Sequence, residues 1–442
     1  MKRSTRGDLQ NVGLASLGGL LEFFDFQVYV FVAAALSKEM FPPGDSPWKA
    51  QVQAFAIFAI GYLVRPVAGM IIAHYADRIG RKKLFVFTVL LMSVPTLLMG
   101  ALPTYAMAGW IAPAALLLLR ILQGCALGGE LPGAATFICE HAPARRLGVS
   151  SGIFIGMVNF GLLLGAAAAF IAKQISGLDP VLASLVWRLP FVLGGLGGLL
   201  AAYLRRHLAE SPLFEAIRAE KRLSTRMPLA AVLRDYRWQC MYAIALTFAF
   251  STTPAIYFQW LPTYLIGLRH IPANTVFLAN VCGVAAFVIG MPSWGALRDV
   301  LGWKRLLVMG GVLNAAVAIL FFTYLPSFAD SLPILAVALV IAGALCSIIH
   351  ALIAGLICSL FPTAVRQSGF AFPYSIGTAI FSGLTPLVMA TLVRNNGLGA
   401  PVIQEVLGGA VALILAGTLR YLPLHLGTSE ANANDGSSVT NI

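Results

Sequence analysis

Twelve apolar runs, each long enough to cross a bilayer as one helix, decide what this chain can fold into. A span needs about 20 mostly apolar residues, and in lipid only helices and closed barrels satisfy their own backbone. The runs cover roughly 12–36, 51–73, 84–102, 109–138, 148–173, 185–207, 238–267, 274–297, 305–325, 332–360, 368–393 and 402–424. Charged residues make up 11% of the chain and apolar ones 59%, with a mean hydropathy of +0.83. That is too little charge to clothe a water-soluble surface of this size, so the expected fold is an all-α membrane protein. Forty-three glycines and 24 prolines suit close-packed membrane helices.

The net charge of +12 does not point to nucleic acid, because the basic residues fall in short clusters between spans. With both termini inside, cytoplasmic segments hold 22 of the 30 Lys and Arg and outer loops hold six (Lys38, Lys49, Lys173, Arg188, Arg269, Arg394), which orients the chain. The first run follows directly on a charged N-terminus and reads as a retained helix, not a cleaved signal. Six cysteines lie inside apolar runs without CxxC or metal-ligand spacing, so no disulfide is expected. The expected organisation is an N-terminal segment 1–11, a six-helix bundle 12–207, a charged cytoplasmic loop 208–237, a second bundle 238–424, and a polar, disordered tail 425–442.

Two loops repeat at one offset. Asp77-Arg78-Ile79-Gly80-Arg81-Lys82-Lys83 between spans 2 and 3 is echoed by Arg298-Asp299 through Lys304-Arg305 between spans 8 and 9, with the aspartates 222 residues apart. Arg145 and Gly148 in the 4–5 loop are echoed by Arg366 and Gly369 in the 10–11 loop, offset by 221. The chain is thus expected to form two related six-helix halves in the same orientation, with a pseudo-twofold along the membrane normal and a cavity between them.

Asp-Arg-x-Gly-Arg-Lys between spans 2 and 3 resembles the signature loop of the major facilitator superfamily. Further stretches resemble its metabolite:proton symporter family: Leu21-Glu22-Phe23-Phe24-Asp25-Phe26, Arg65-Pro66, Arg120-Ile121-Leu122-Gln123-Gly124 to Gly128-Gly129-Glu130, and Phe361-Pro362-Thr363 to Arg366. Glu210-Ser211-Pro212 after span 6 resembles the sugar-porter-like variant of the same loop. The resemblance implies alternating access by two bundles that carry a proline-, betaine-, shikimate-, citrate- or 2-oxoglutarate-like metabolite with protons. Ala73, Phe24, Leu131-Pro132 and Pro373-Tyr374-Ser375 depart from the family pattern near where substrate would bind, so the substrate is not borrowed from any one member.

Ionisable side chains at membrane depth are costly and seldom lack a partner or a task. Spans 1, 2 and 4 carry Glu22, Asp25, Arg65, Arg120 and Glu130, whereas spans 7–12 have no Asp or Glu in their middles and only His350 near neutral titration. Asp25 and Arg120 lie near the midplane, roughly 20 Å and 16 Å along their helices. Glu22, Asp25 and Tyr29 share one helical face. The expectation is that Asp25 carries the proton with Arg120 as a switchable partner and Glu22 beside them; a permanent ion pair between spans 1 and 4 is the plainer alternative. Arg65 offers bidentate recognition of a carboxylate, or pairs with Glu22 or Glu130. Glu130 reads as a gate or packing residue.

Asp77, Arg78, Arg81, Glu130, Asp299, Arg145 and Arg366 form the expected cytoplasmic gate. An acidic residue in such a loop is not required by topology alone. Substrate contacts are expected from Arg65, Tyr29, Gln123, Asn159, Tyr257, Gln259, Tyr374 and Ser375, with Thr378 alongside. Thr253, Trp260 and Tyr264 share the face of Tyr257, the last two reading as an interfacial aromatic belt. His350 reads as a satisfied packing residue. No GxxxxGK[ST] or HExxH occurs, so no enzyme, cofactor or metal is expected. The expected partners are a small metabolite, the proton and the lipid bilayer of a bacterial inner membrane, with no nucleic acid and the chain acting as a monomer. A proton-driven exporter of a drug or siderophore-like molecule is the competing reading.

Overall fold

A computed structural model describes residues 6–79, 81–142, 144–176, 185–205, 228–362 and 365–425. Every apolar run forms a helix, and no strand occurs among the described residues. Span 1 is Arg6–Phe31, continued by Ala33–Glu39, and span 2 is Pro47–Leu63 with Arg65–Ile79. Spans 3 to 6 are Arg81–Gly100, Ile111–His141, Leu147–Ser176 and Leu189–Arg205. Span 7 runs Arg237–Pro254, Ala255–Trp260 and Leu261–Gly267; span 10 is Leu332–Leu360. Span 11 runs Arg366–Gly377, Thr378–Gly383 and Thr385–Asn396, and span 12 is Gly399–Thr418. Within the loop expected at 208–237, Pro228–Asp235 is a short helix.

Local chemistry sets the breaks. Ser46 caps span 2 by accepting from the Lys49 amide, with Pro47 in the first turn, where its missing N–H costs nothing. Spans 8 and 9 are one helical path, Ala273–Phe328, interrupted at Gly302, whose φ of 81° is open to glycine and strained for other residues. Spans 7 and 11 each contain a π-helical stretch, Ala255–Trp260 after Pro254 and Thr378–Gly383 downstream of Pro373. Such widened turns are often found at functional sites.

Spans 1 to 6 pack on one another, spans 7 to 12 do likewise, and the halves meet along span 5 against span 8 and span 2 against span 11. Lipid removes the hydrophobic drive between helices, so close approach of small residues does the joining. Spans 2 and 4 touch backbone to backbone at Gly61–Gly124 and Gly69–Gly128; a Cβ on Gly128 would lie 2.6 Å from the Arg65 carbonyl oxygen, and one on Gly124 would overlap the Gly61 carbonyl. Gly124→Ala is therefore expected to cost at the upper end of the usual 1–3 kcal/mol for overpacking, about 3 kcal/mol, because backbone cannot yield as a side chain does. A thermal unfolding midpoint unchanged from wild type in lipid nanodiscs would contradict this.

Candidate substrate site

The charged residues of spans 1, 2 and 4 are buried, and aromatic rings hold their guanidinium groups. Arg120 is fully buried. Its Nη1 donates to the Phe26 carbonyl (3.1 Å) and to Gln123 Oε1 (2.7 Å), and its Cζ lies 3.9 Å from the Phe26 ring centre and 4.5 Å from that of Tyr29. Arg65 sits over Tyr62 (3.6 Å) and Phe26 (4.2 Å), and its Nε and Nη2 have no hydrogen-bond partner. Cation–π contact stabilises such groups away from water, more so when they are desolvated.

Asp25 faces away from both arginines. Its carboxyl lies against Gly194 and Gly198 of span 6, where a Cβ on Gly198 would come within 3.1 Å of Asp25 Oδ2. Ser93 and Thr96 of span 3 stand beside it, but their hydroxyls donate to Val89 O and Met92 O (both 2.8 Å). Both carboxyl oxygens of Asp25 are thus buried without a donor. Arg120 and Asp25 form no ion pair, contrary to the permanent-pair alternative. A chain of hydrogen bonds instead runs from Arg120 through Gln123 to Thr96 Oγ1 (2.7 Å), next to Asp25. Glu22 is buried with Oε2 unpartnered, and it does not pair with Arg65.

Between the halves is a cavity of about 20 Å³ lined by Phe23, Arg65, Leu127, Leu131, Pro132, Tyr374, Ser375 and Thr378. Arg65 thus meets the expected span 11 residues Tyr374 and Ser375 there. The other expected contacts are turned elsewhere. Tyr29 donates its hydroxyl to Ala54 O (3.0 Å), Gln123 is engaged as above, and Asn159 donates back to Ile155 O within its own helix (2.9 Å). Tyr257 packs on Phe321 and Phe322, and Gln259 is buried with Oε1 unpartnered. Trp260, expected in an interfacial belt, is 2% exposed and stacks on Tyr264 at 4.9 Å, because the π-helical turn rotates it inward. His350 is not a satisfied histidine: it is wedged between Phe250 and Phe287, and neither ring nitrogen makes a well-formed hydrogen bond.

Contacts among the described residues join the halves on both sides of the cavity. On the face carrying the 4–5 and 8–9 turns, Asp299 accepts from the Gly148 and Val149 amides (2.7 and 3.0 Å) at the start of span 5, joining one half to the other. Free amides at a helix N-terminus favour an anion, and a charged acceptor roughly doubles the bond strength. Arg298 steadies Asp299 (2.9 Å) while stacked over Trp303. Ser151 bridges to Ala351 O and the Gly355 amide, 3.0 Å each. On the opposite face Trp48 donates to Ala390 O (2.9 Å), Gly383 abuts Tyr62, and helix Ala33–Glu39 packs on Leu261–Gly267. Arg145 is exposed, and Arg366 Nε donates to Cys358 O and Phe361 O within its own half. The side chains of Asp77, Arg78, Arg81 and Glu130 lie outside the described residues. Asp299→Asn is expected to loosen the first face, raising maleimide labelling of a Ser151→Cys reporter about tenfold, for about 1.4 kcal/mol of lost latch. Equal labelling rates would remove Asp299 from the gate.

Two helical bundles with a buried, charged cavity between them define a multi-pass membrane transporter. The Major Facilitator Superfamily profile matches residues 15–326, and the chain belongs to that superfamily. It is 32% identical over 389 residues to a putative proline/betaine transporter of Staphylococcus haemolyticus, covering 88% of this chain and 82% of that one. It is 32% identical over 395 residues to the glycine betaine/proline/ectoine/pipecolic acid transporter OusA of Dickeya dadantii, covering 86% and 77%. In fold it resembles the proton:xylose symporter XylE bound to 6-bromo-6-deoxy-D-glucose, with a TM-score of 0.75 at 15% identity over 95% of this chain and 96% of that one.

The signals that sequence reasoning missed are Tyr62 and Glu405. Tyr62 carries Arg65 on its ring and accepts from Gln27 and Ser382 (3.4 Å each), one contact from each half. Its place three residues before Arg65 on span 2 was the available clue. Glu405 lies near the start of span 12, outside the span middles where no acid was expected, yet it is 0% exposed.

Proposed function

We propose that this transporter imports a small organic acid or zwitterion by proton symport through alternating access. In this reading it sits in a bacterial inner membrane, with both termini and the Asp299 latch on the cytoplasmic side. The observation that carries the reading is Arg65, an unpaired guanidinium held by rings at the wall of the cavity between the halves. A buried cation with no acidic partner among the described residues suits an anionic ligand group, and the guanidinium plane matches a carboxylate. Tyr374, Ser375 and Thr378 face it from the other half, so one solute touches both bundles and its binding can draw them together. The relatives named as proline and betaine transporters support a carboxylate with a nearby ammonium, whose alkyl groups suit the aromatic faces of Phe23 and Tyr374.

Asp25 is the proton carrier in this scheme. With Ser93 and Thr96 hydroxyl protons committed elsewhere, their oxygens remain acceptors, which suits a protonated Asp25 donating to one of them. Water entering beside Gly194 and Gly198 as the bundle opens takes the proton away. The chain through Gln123 to Arg120 then transmits the new charge toward the cavity wall.

The test is uptake of labelled betaines, proline and organic acids by right-side-out and inverted membrane vesicles, with and without a protonophore. Saturable uptake into right-side-out vesicles that collapses with the gradient is the expected result. Accumulation confined to inverted vesicles would reverse the direction and favour the exporter.

A further inference from the structure

Glu405 is a second carboxyl buried without a cation, and it belongs to the other bundle. Its Oε2 accepts from Thr253 Oγ1 of span 7 (3.1 Å) and from Asn314 Nδ2 of span 9 (3.2 Å), and that amide also reaches Thr253 Oγ1 at 3.0 Å. Glu405 Oε1 and Asn314 Oδ1 are buried acceptors that receive no donor. The titratable groups facing Glu405 are Tyr257 of span 7 and Cys346 of span 10; span 9 presents the neutral Asn314, and Thr252 adds a hydroxyl. No lysine, arginine or histidine among the described residues pairs with it.

The position repeats that of Asp25. Asp25 lies where spans 1, 3 and 6 meet, and Glu405 lies where spans 7, 9 and 12 meet, the corresponding helices of the second half. The heights are close as well: in the repeated loops Gly80 matches Gly302, and Ser93 stands 13 residues beyond the first while Asn314 stands 12 beyond the second. An ionised carboxylate there would be desolvated without a counter-charge, whereas the neutral acid carries no charge and turns Oε1 from an unpartnered acceptor into a donor.

We propose that Glu405 is a second proton-binding site, so that each half carries one such carboxyl at the same junction of helices. Thr253 lies two residues before the π-helical stretch Ala255–Trp260, and bending there withdraws its hydroxyl from Oε2 and admits water. The O–H bond at Oε1 then breaks, the proton passes to water, and the carboxylate stays behind. The proposal stands apart from the identity of the solute and from the role of Asp25.

The full-length protein in lipid, without solute, tests it by infrared difference spectroscopy against Glu405→Gln over a pH series. The expected result is a carboxylic-acid carbonyl band at neutral pH that is lost in the variant and gives way to a carboxylate band in wild type as pH rises. Thr253→Val, a near-isosteric change, should move that band, which keeps the assignment testable if Glu405→Gln folds poorly. In proteoliposomes Glu405→Gln should then show a loss of protons carried per solute. A carboxylate band at every pH would overturn the proposal, as would an acid band that never titrates, an unchanged proton count, or a response to sodium in place of pH.

Discussion

Asp25→Asn is expected to abolish gradient-driven accumulation while leaving a folded protein that still exchanges solute across the membrane. Asparagine mimics the shape of a neutral carboxyl and cannot release a proton. The Asp25 pocket has two glycines on one side and two oxygens on the other whose protons are already committed, so it accepts a neutral group with little strain. Solute loaded on both sides of proteoliposomes should therefore still exchange at near wild-type rate. An imposed pH gradient should no longer raise the internal concentration above the external one. Normal driven accumulation by the variant would remove Asp25 from coupling, and loss of exchange as well would make it a structural residue.

Arg65→Lys should raise the half-saturating concentration of a carboxylate solute by about thirtyfold. A hydrogen bond to a charged group is worth about 1.5–3 kcal/mol, and each 1.4 kcal/mol is tenfold, so losing one of the paired donors costs about thirtyfold at mid-range. Lysine keeps the charge but loses the planar face that lies on Tyr62 and Phe26 and the paired donors that match two oxygens. A solute with the same ammonium group but no carboxylate provides the control, because its affinity should be nearly indifferent to the change. Equal weakening of both solutes would mean that Arg65 shapes the cavity without meeting the carboxylate.

The fold was legible because its signals are long: a run of 20 apolar residues survives any local ambiguity, and Gly302 and the repeated Asp77 and Asp299 marked the joints. Asp299 was legible for the further reason that an acid in a positive loop has no topological purpose. Direction was not legible. Helical spacing put Glu22, Asp25 and Tyr29 on one face, yet the Asp25 carboxyl turns to span 6 while the Tyr29 hydroxyl turns to span 2, because which neighbour lies beside a face is a matter of packing. Trp260 was misread because an interfacial tryptophan and a buried one differ only in the local helical turn, which widens at Ala255–Trp260. Glu405 was overlooked because it lies only a few residues from the apparent end of span 12, where acids usually reach water. Its burial depends on Thr253 and Asn314 arriving from elsewhere in the chain.

The narrowness of the space around Arg65 bears on turnover. At about 20 Å³ it holds little more than one water, so in this conformation the two halves lie close together around Arg65. If the carrier imports by symport, as proposed above, it makes its homeward journey empty, and a core that can shut on itself makes that leg passable. Cargo must prise the walls apart on entry, which spends part of its attraction on making room. Such a carrier is suited to solutes that are plentiful when needed, trading tight capture for a quick return.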